Sequence, residues 1–255
     1  MSLVAPEAAV LARRGFVSAF EDGARPVRRL PVGPLRRALD PWSSLVCVAT
    51  AENVVALTYD DGPDPVHTPA VLDALAAAGA RATFFVLAER AERHPRLIAR
   101  TVAEGHEVAL HGIDHARLTE VPVPRALALV AEGRDRLEQV LGAPVTLFRP
   151  TYGAQRLRTA RGVRALGLDV VIWTAWARDW EGVPASVIAP RALGALHPGA
   201  VVLLHDSSGD GVGAEGLDRG DATGRIVAGM AERGYVSRTV SELVAMYPAV
   251  RSLWS

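Results

Sequence analysis

From Asn53 onward, short apolar runs alternate with helix-length segments, with glycine and proline between them. This alternation constrains the fold more than any other feature of the chain. Val54 to Tyr59 reads as a strand that ends at Asp60-Asp61-Gly62-Pro63. Thr68-Pro69 then opens a helix to Ala78, with Thr68 as N-cap, Pro69 at the first helical position and Gly79 closing it. The same order repeats, with strands expected over 82–86, 107–110, 145–148, 170–173 and 200–204. Helices are expected over 95–104, 124–141, 156–166, 183–196, 221–233 and 240–246. Such alternation favours parallel βαβ units, and the unbroken run Val201-Val202-Leu203-Leu204 suits a strand buried on both faces. The expected fold is α/β, a distorted (β/α)7-type barrel. Chemistry in such barrels gathers at the C-terminal ends of the strands. Asp60, Asp61, His111, Arg149, Asp179 and His205 all fall at or just beyond such ends.

Residues 1–50 read as an N-terminal extension, helical over Val4 to Phe20 and then Pro-rich and basic, with Pro26, Pro31, Pro34 and Pro41 among several Arg. The main domain is expected over 51–255. The 28 basic and 28 acidic side chains cancel, which argues against a nucleic-acid binder. Every cation is Arg. The absence of lysine excludes Schiff-base chemistry and a P-loop. Cys47 is the only cysteine, which excludes an intrachain disulfide and a cysteine-based zinc site; its apolar neighbours predict a buried, inert thiol. Met1 to Arg14 lacks the basic-then-apolar order of a signal peptide, and no run approaches the roughly 20 apolar residues of a membrane span. The expectation is a cytoplasmic protein without a span.

Each candidate residue also has an ordinary reading. Asp60-Asp61-Gly62-Pro63 alone would pass for a turn. Two adjacent acids at a strand end, however, point apart, so one can bind a cation while the other faces a reactant. His111 and His115 are four residues apart, a spacing that puts two imidazoles within reach of one ion, though alone it is a weak signal. With a carboxylate they make a two-His, one-carboxylate set that suits zinc and other divalent metals. Arg149 is either a surface residue before a turn or a fork of donors that holds a carboxylate. His205 is either a satisfied core imidazole or a general acid.

Taken together, these residues resemble the polysaccharide deacetylase family, the NodB-type carbohydrate esterases of family four, over about residues 53–247. Thr58-Tyr59-Asp60-Asp61-Gly62-Pro63 is similar to the family's first motif, Thr-Phe-Asp-Asp-Gly-Pro. His111 to His115 matches His-Ser/Thr-x-x-His, and Arg149-Pro150-Thr151-Tyr152 is similar to Arg-x-Pro-Tyr. Asp179-Trp180 matches the second half of Asp-x-x-Asp-Trp, and Leu203-Leu204-His205 matches Leu-x-His. The chain departs at Gly112, where the family has the Ser/Thr that steadies the histidine loop and where Asp114 is the expected substitute. It departs again at Thr151, where proline is usual, and at Trp176, in place of the fourth motif's first acid.

The resemblance implies a metal-dependent deacetylase. Asp61, His111 and His115 would hold one divalent ion, zinc first, with cobalt or nickel as alternatives. Asp60 would be the base, oriented by Arg149. His205 would be the acid, oriented by Asp179, and the backbone N–H of Tyr152 would face the oxyanion. Leu203 would line the acyl pocket and Trp180 would stack on a sugar. Apart from the resemblance, the long glycine-rich loop over 207–223 reads as a lid, with a disordered segment as the alternative. For a chain expected in the cytoplasm, the partner would be a small N-acetylated sugar or conjugate. Two other functions compete: a C–N hydrolase of the same fold acting on a cyclic imide, ureide or formamido sugar, and a non-catalytic metal- and sugar-binding protein. Oligomeric state has no signature in the sequence.

Overall fold

Alternation along the strands sorts the apolar residues into two cores. The computed structural model describes residues 39–207 and 216–253. In β2 (Val54–Asp60), Val55, Leu57 and Tyr59 pack outward against the helices, while Val54 and Ala56 pack inward. In β8 (Val201–His205), Val202 and Leu204 face outward and Val201 and Leu203 inward. Period-two side-chain geometry then carries Thr58, Asp60 and His205 on along the inner columns.

The other strands of this sheet are β3 (Ala82–Leu87), β4 (Glu107–Gly112), β5 (Leu147–Phe148), β6 (Asp169–Val170) and β7 (Ala175–Trp176). They lie parallel in the order β6-β5-β4-β3-β2-β8-β7, a curled sheet with β6 and β7 as its ends. The short β9 (Val236–Ser237) also pairs with β2. The connecting helices are α1 (His67–Ala77), α2 (Ala88–Arg93), α3 (Pro95–Ala103), α4 (Val123–Leu141), α5 (Leu157–Ala165), α6 (Ala185–Ala195), α7 (Arg219–Glu232) and α8 (Val240–Met246). The α/β half-barrel matches the expected fold class. Gly142 ends α4 in the left-handed conformation, as its position predicts.

Three expectations change. The boundary at residue 50 cuts off a core strand. Ser44–Val48 forms β1, fully buried, antiparallel to β10 (Ala249–Ser252) and bridged to Val171 and Ala200. Its Leu45, Val46, Cys47 and Val48 belong to the inner core, and burial pushes the Cys47 thiol up to about 12. Thr68 is not an N-cap. The Asp64 carboxylate accepts from the N–H of Val66 and His67 at 2.8 Å, leaving the Thr68 hydroxyl to bond Asp206 at 2.6 Å. Of the lid expected over 207–223, residues 208–215 lie outside the described residues, and Arg219–Thr223 begin α7. The helix expected over Val4 to Phe20 also lies outside the described residues.

Candidate active site

Strand register brings the motif residues to one height. Asp60 pairs with His205 on one side and with Phe85 on the other. Leu110 pairs with Phe148, so His111 and Arg149, one residue further along, stand side by side. Strict alternation would turn Asp61 toward the helices. Its φ of 75° bends the chain, and its carboxylate instead meets the imidazoles. Asp61, Tyr152 (φ 59°) and Arg178 (φ 53°) are the non-glycine residues with positive φ among the described residues, and all three lie in strand-end loops of this site. Such backbone is sparsely populated and gathers where function over-determines the geometry.

Asp61, His111 and His115 form a cluster that could hold a metal ion, with one donor atom from each lying within 4.8 Å of the others. The Nε2 atoms of His111 and His115 approach Asp61 Oδ1 at 3.3 and 3.1 Å. Neither approach has hydrogen-bond alignment, so both oxygens of Asp61 are buried without a donor. Burial raises its carboxyl, but the two facing imidazoles outweigh that and hold it well below the usual range. His111 donates Nδ1–H to the Arg149 carbonyl at 2.9 Å, which fixes the ring with its Nε2 edge toward Asp61.

Asp60 stands beside this cluster, its Oδ2 lying 3.8 Å from His111 Nε2. Arg149, fully buried, donates from Nη1 to Asp60 Oδ1 at 2.6 Å and to Thr58 Oγ1 at 2.8 Å. Its guanidinium lies over the Phe85 ring, 4.0 Å from the centroid. On the other side, His205 Nδ1 bonds Asp179 Oδ1 at 2.8 Å, and the His205 backbone N–H donates to Asp179 Oδ2 at 2.7 Å. Burial would lower the His205 imidazole. The charge and hydrogen bond of Asp179, reinforced by Asp61 and Asp60, outweigh it and raise His205 to about 9.

The remaining expected residues border this cleft. The Tyr152 ring lies 4.2 Å from that of His115 and is 40% exposed. Trp180, 38% exposed, stands edge-on to His205 with centroids 5.8 Å apart. Leu203 is buried in the inner core, paired with Thr58 and Trp176 in register. The motif departures at Gly112 and Thr151 are linked across the loops. The Thr151 hydroxyl donates to the Ala116 carbonyl at 2.6 Å, and Asp114 Oδ1 accepts from the Ala116 N–H at 3.1 Å. Both tie down the histidine loop at the place where Gly112 lacks a hydroxyl.

Four further residues belong to this neighbourhood and escape sequence reading. Thr58 shares Arg149 with Asp60. Asp206 packs against Gly62 so closely that a Cβ there would collide with its carboxylate. Burial raises Asp206 to about 7, and Asp61 adds to the rise against the opposing Thr68 bond. Arg219 donates from Nη1 to Asp179 Oδ2 at 3.3 Å and to the His205 carbonyl at 3.0 Å. The signal available for Asp206 was adjacency to His205; Thr68 and Arg219 had none, because they lie distant in sequence from what they touch.

Fold and site together define an α/β half-barrel whose strand ends carry a carboxylate–imidazole cluster, a candidate metal site, between two buried ion pairs. Comparison with known proteins narrows that class. The polysaccharide deacetylase family model matches residues 48–171. The peptidoglycan-N-acetylmuramic acid deacetylase PdaC of Bacillus subtilis is 33% identical over 194 residues, spanning 75% of this chain and 39% of PdaC. Its solved structure gives a TM-score of 0.68 at 32% identity, covering 76% of this chain and 91% of that one. A peptidoglycan-N-acetylglucosamine deacetylase of Bacillus cereus is 32% identical over 217 residues, spanning 82% of this chain and 97% of the relative. A chitooligosaccharide deacetylase of Sinorhizobium fredii is 33% identical over 226 residues, 81% of this chain and 99% of that protein. The chain belongs to the polysaccharide deacetylase family.

Proposed function

We propose that this protein is a metal-dependent deacetylase that hydrolyses the N-acetyl amide of an amino sugar or its conjugate and releases acetate. One observation carries the metal: the Asp61 carboxylate is buried, has no donor, and faces two imidazole nitrogens. An uncompensated buried charge is costly, and a cation relieves it. The neighbouring acids are already answered: Asp60 by Arg149, Asp179 by His205 and Arg219, and Asp206 by its raised affinity for a proton. One carboxylate and two imidazoles suit a catalytic zinc ion, with cobalt or nickel as alternatives.

When bound, such an ion supplies Lewis acidity to a carbonyl oxygen and to a water molecule. The chain's own residues do the rest. Asp60, oriented by the Arg149 guanidinium, takes the proton of the attacking water. The backbone N–H of Tyr152 faces the developing oxyanion. His205 presents Nε2 to the leaving nitrogen, because Asp179 occupies Nδ1, and delivers the proton that lets the amine depart. Leu203 bounds the acyl side. Trp180 offers a half-exposed indole face to the sugar. The names of the relatives, which act on peptidoglycan and on chitooligosaccharides, support an N-acetylated sugar as the substrate. A small soluble acceptor is the class this reading favours.

The test is acetate release by protein stripped of metal and reloaded with zinc, cobalt or nickel. The panel runs from monosaccharide conjugates to chitin oligomers, with a cyclic imide included. Metal-dependent release is the expected outcome; turnover of the imide alone would replace this reading with the C–N hydrolase. Asp60→Asn is expected to retain metal and lose at least about 100-fold in kcat, the scale of a positioned proton transfer. Near-native turnover by that variant would remove Asp60 from the mechanism.

A further inference from the structure

Arg219 opens α7 with its side chain 2% exposed. Its Nη1 donates to Asp179 Oδ2 and to the His205 carbonyl, while Nε and Nη2 are buried without a hydrogen-bond partner among the described residues. A buried guanidinium that uses one of its three nitrogens is an expensive way to hold a helix start. What it does hold is the back of the acid pair. Asp179 Oδ2 receives both Arg219 Nη1 and the His205 backbone N–H, so the carboxylate cannot rotate, and only Oδ1 remains for His205 Nδ1. The second bond, to the His205 carbonyl, fixes the backbone from which the imidazole springs.

We infer that Arg219 is a positioning residue for proton delivery to the leaving amine, acting through Asp179 on the orientation of His205. The inference rests on the deacetylase reading above. In amide hydrolysis the C–N bond breaks only as the nitrogen takes a proton from His205 Nε2, and the neutral imidazole remains. In hydrolysis of 4-nitrophenyl acetate the C–O bond breaks to give a phenolate that departs with no proton. A residue that serves the acid should therefore matter to the first reaction and little to the second.

The experiment compares Arg219→Met and Arg219→Lys with the parent enzyme, all zinc-loaded, on an N-acetyl sugar and on 4-nitrophenyl acetate. Arg219→Met is expected to lower kcat on the amide by about 30-fold, with KM within about twofold, since small misplacement of a catalytic group costs up to about 100-fold. The loss on the ester is expected to be at least tenfold smaller, and Arg219→Lys should recover part of the amide rate. Parallel losses on both substrates, or no loss on the amide, would overturn the inference. If Arg219→Met does not fold, the amide-to-ester ratio of Arg219→Lys decides in the same way. A parent enzyme that cleaves the ester but no N-acetyl sugar would instead overturn the deacetylase reading, and this inference with it.

Discussion

At the scale of single residues, two of the departures from the family's motifs, Gly112 and Thr151, compensate one another. Gly112 removes a hydroxyl from the histidine loop, and Thr151 returns one from the facing loop through its bond to the Ala116 carbonyl. Gly112 itself has φ 154°, and a Cβ there would press on the Asp114 carbonyl at 2.9 Å, so a side chain at 112 is disfavoured in this geometry. Thr151→Val keeps the shape and deletes the bond. Second-layer contacts to metal ligands are worth about 10–100-fold in affinity. Calorimetric zinc titration of Thr151→Val is expected to show a Kd weakened by about tenfold, and an unchanged Kd would leave the tie without a metal role. His205 makes a second prediction. In the proposed mechanism its acid form must be present for the amine to leave, and Asp179 raises the imidazole to about 9 against the pull of burial. Turnover of an N-acetyl sugar should therefore hold to mildly alkaline pH and fall above about 9. Asp179→Asn withdraws the charge that raises His205, so the alkaline limb should move to lower pH. A limb that stays in place would separate it from His205.

At the scale of elements, strands with local signatures were legible and those defined by their neighbours were not. β2, β3, β4 and β8 are apolar runs of five to seven residues, each read within a few residues of its observed bounds. β5 and β6 have two residues each and lie at the expected runs over 145–148 and 170–173, which are longer than the strands that form; β7 and β9, also of two residues, are too short to show any period and exist because a neighbouring strand supplies their partners. β1 was missed for another reason: its partner β10 lies at the far end of the chain, and no local pattern reports such a pairing. The site fared better because polar residues after apolar runs are conspicuous, whereas Arg219 sits in a Gly- and Asp-rich stretch that reads as loop. The misplaced boundary makes a prediction. Leu45, Val46 and Val48 are each buried to 2% exposure or less, worth about 5–9 kcal/mol together at about 1.5–3 each. That approaches the whole stability of a typical domain, about 5–15 kcal/mol. A chain begun at residue 51 is expected to lose cooperative thermal unfolding by circular dichroism. One begun at Leu39 retains β1 and should melt in a single transition; equal melting of the two would show β1 to be dispensable.

At the scale of the whole molecule, metal binding at the cluster of Asp61, His111 and His115 would link folding to metal. Two buried carboxylates lack a full set of donors and resolve the deficit differently. Asp206 gains affinity for a proton, reaching about 7, whereas Asp61 is held well below the usual range with no hydrogen-bond donor on either oxygen, which is where a cation would bind. The cluster draws on the residue after β2 and on the end of β4 with the loop beyond it, segments brought together only by folding, so an ion that bridges them would bind the folded state preferentially. Preferential binding stabilises by about 2.7 kcal/mol when free ligand is 100-fold above Kd. For a domain of this size each kcal/mol raises Tm by about 2–4 °C, so saturating zinc is expected to raise it by about 5–11 °C. Asp61→Asn should abolish most of that rise, because it removes the charged ligand. Asp60→Asn should preserve it, because Asp60 is held by Arg149 and stands outside the ligand set. Differential scanning calorimetry of the three proteins, with chelator and with zinc, separates the two adjacent acids. An equal zinc response in Asp60→Asn and Asp61→Asn would mean that the pair does not divide its labour as the geometry assigns.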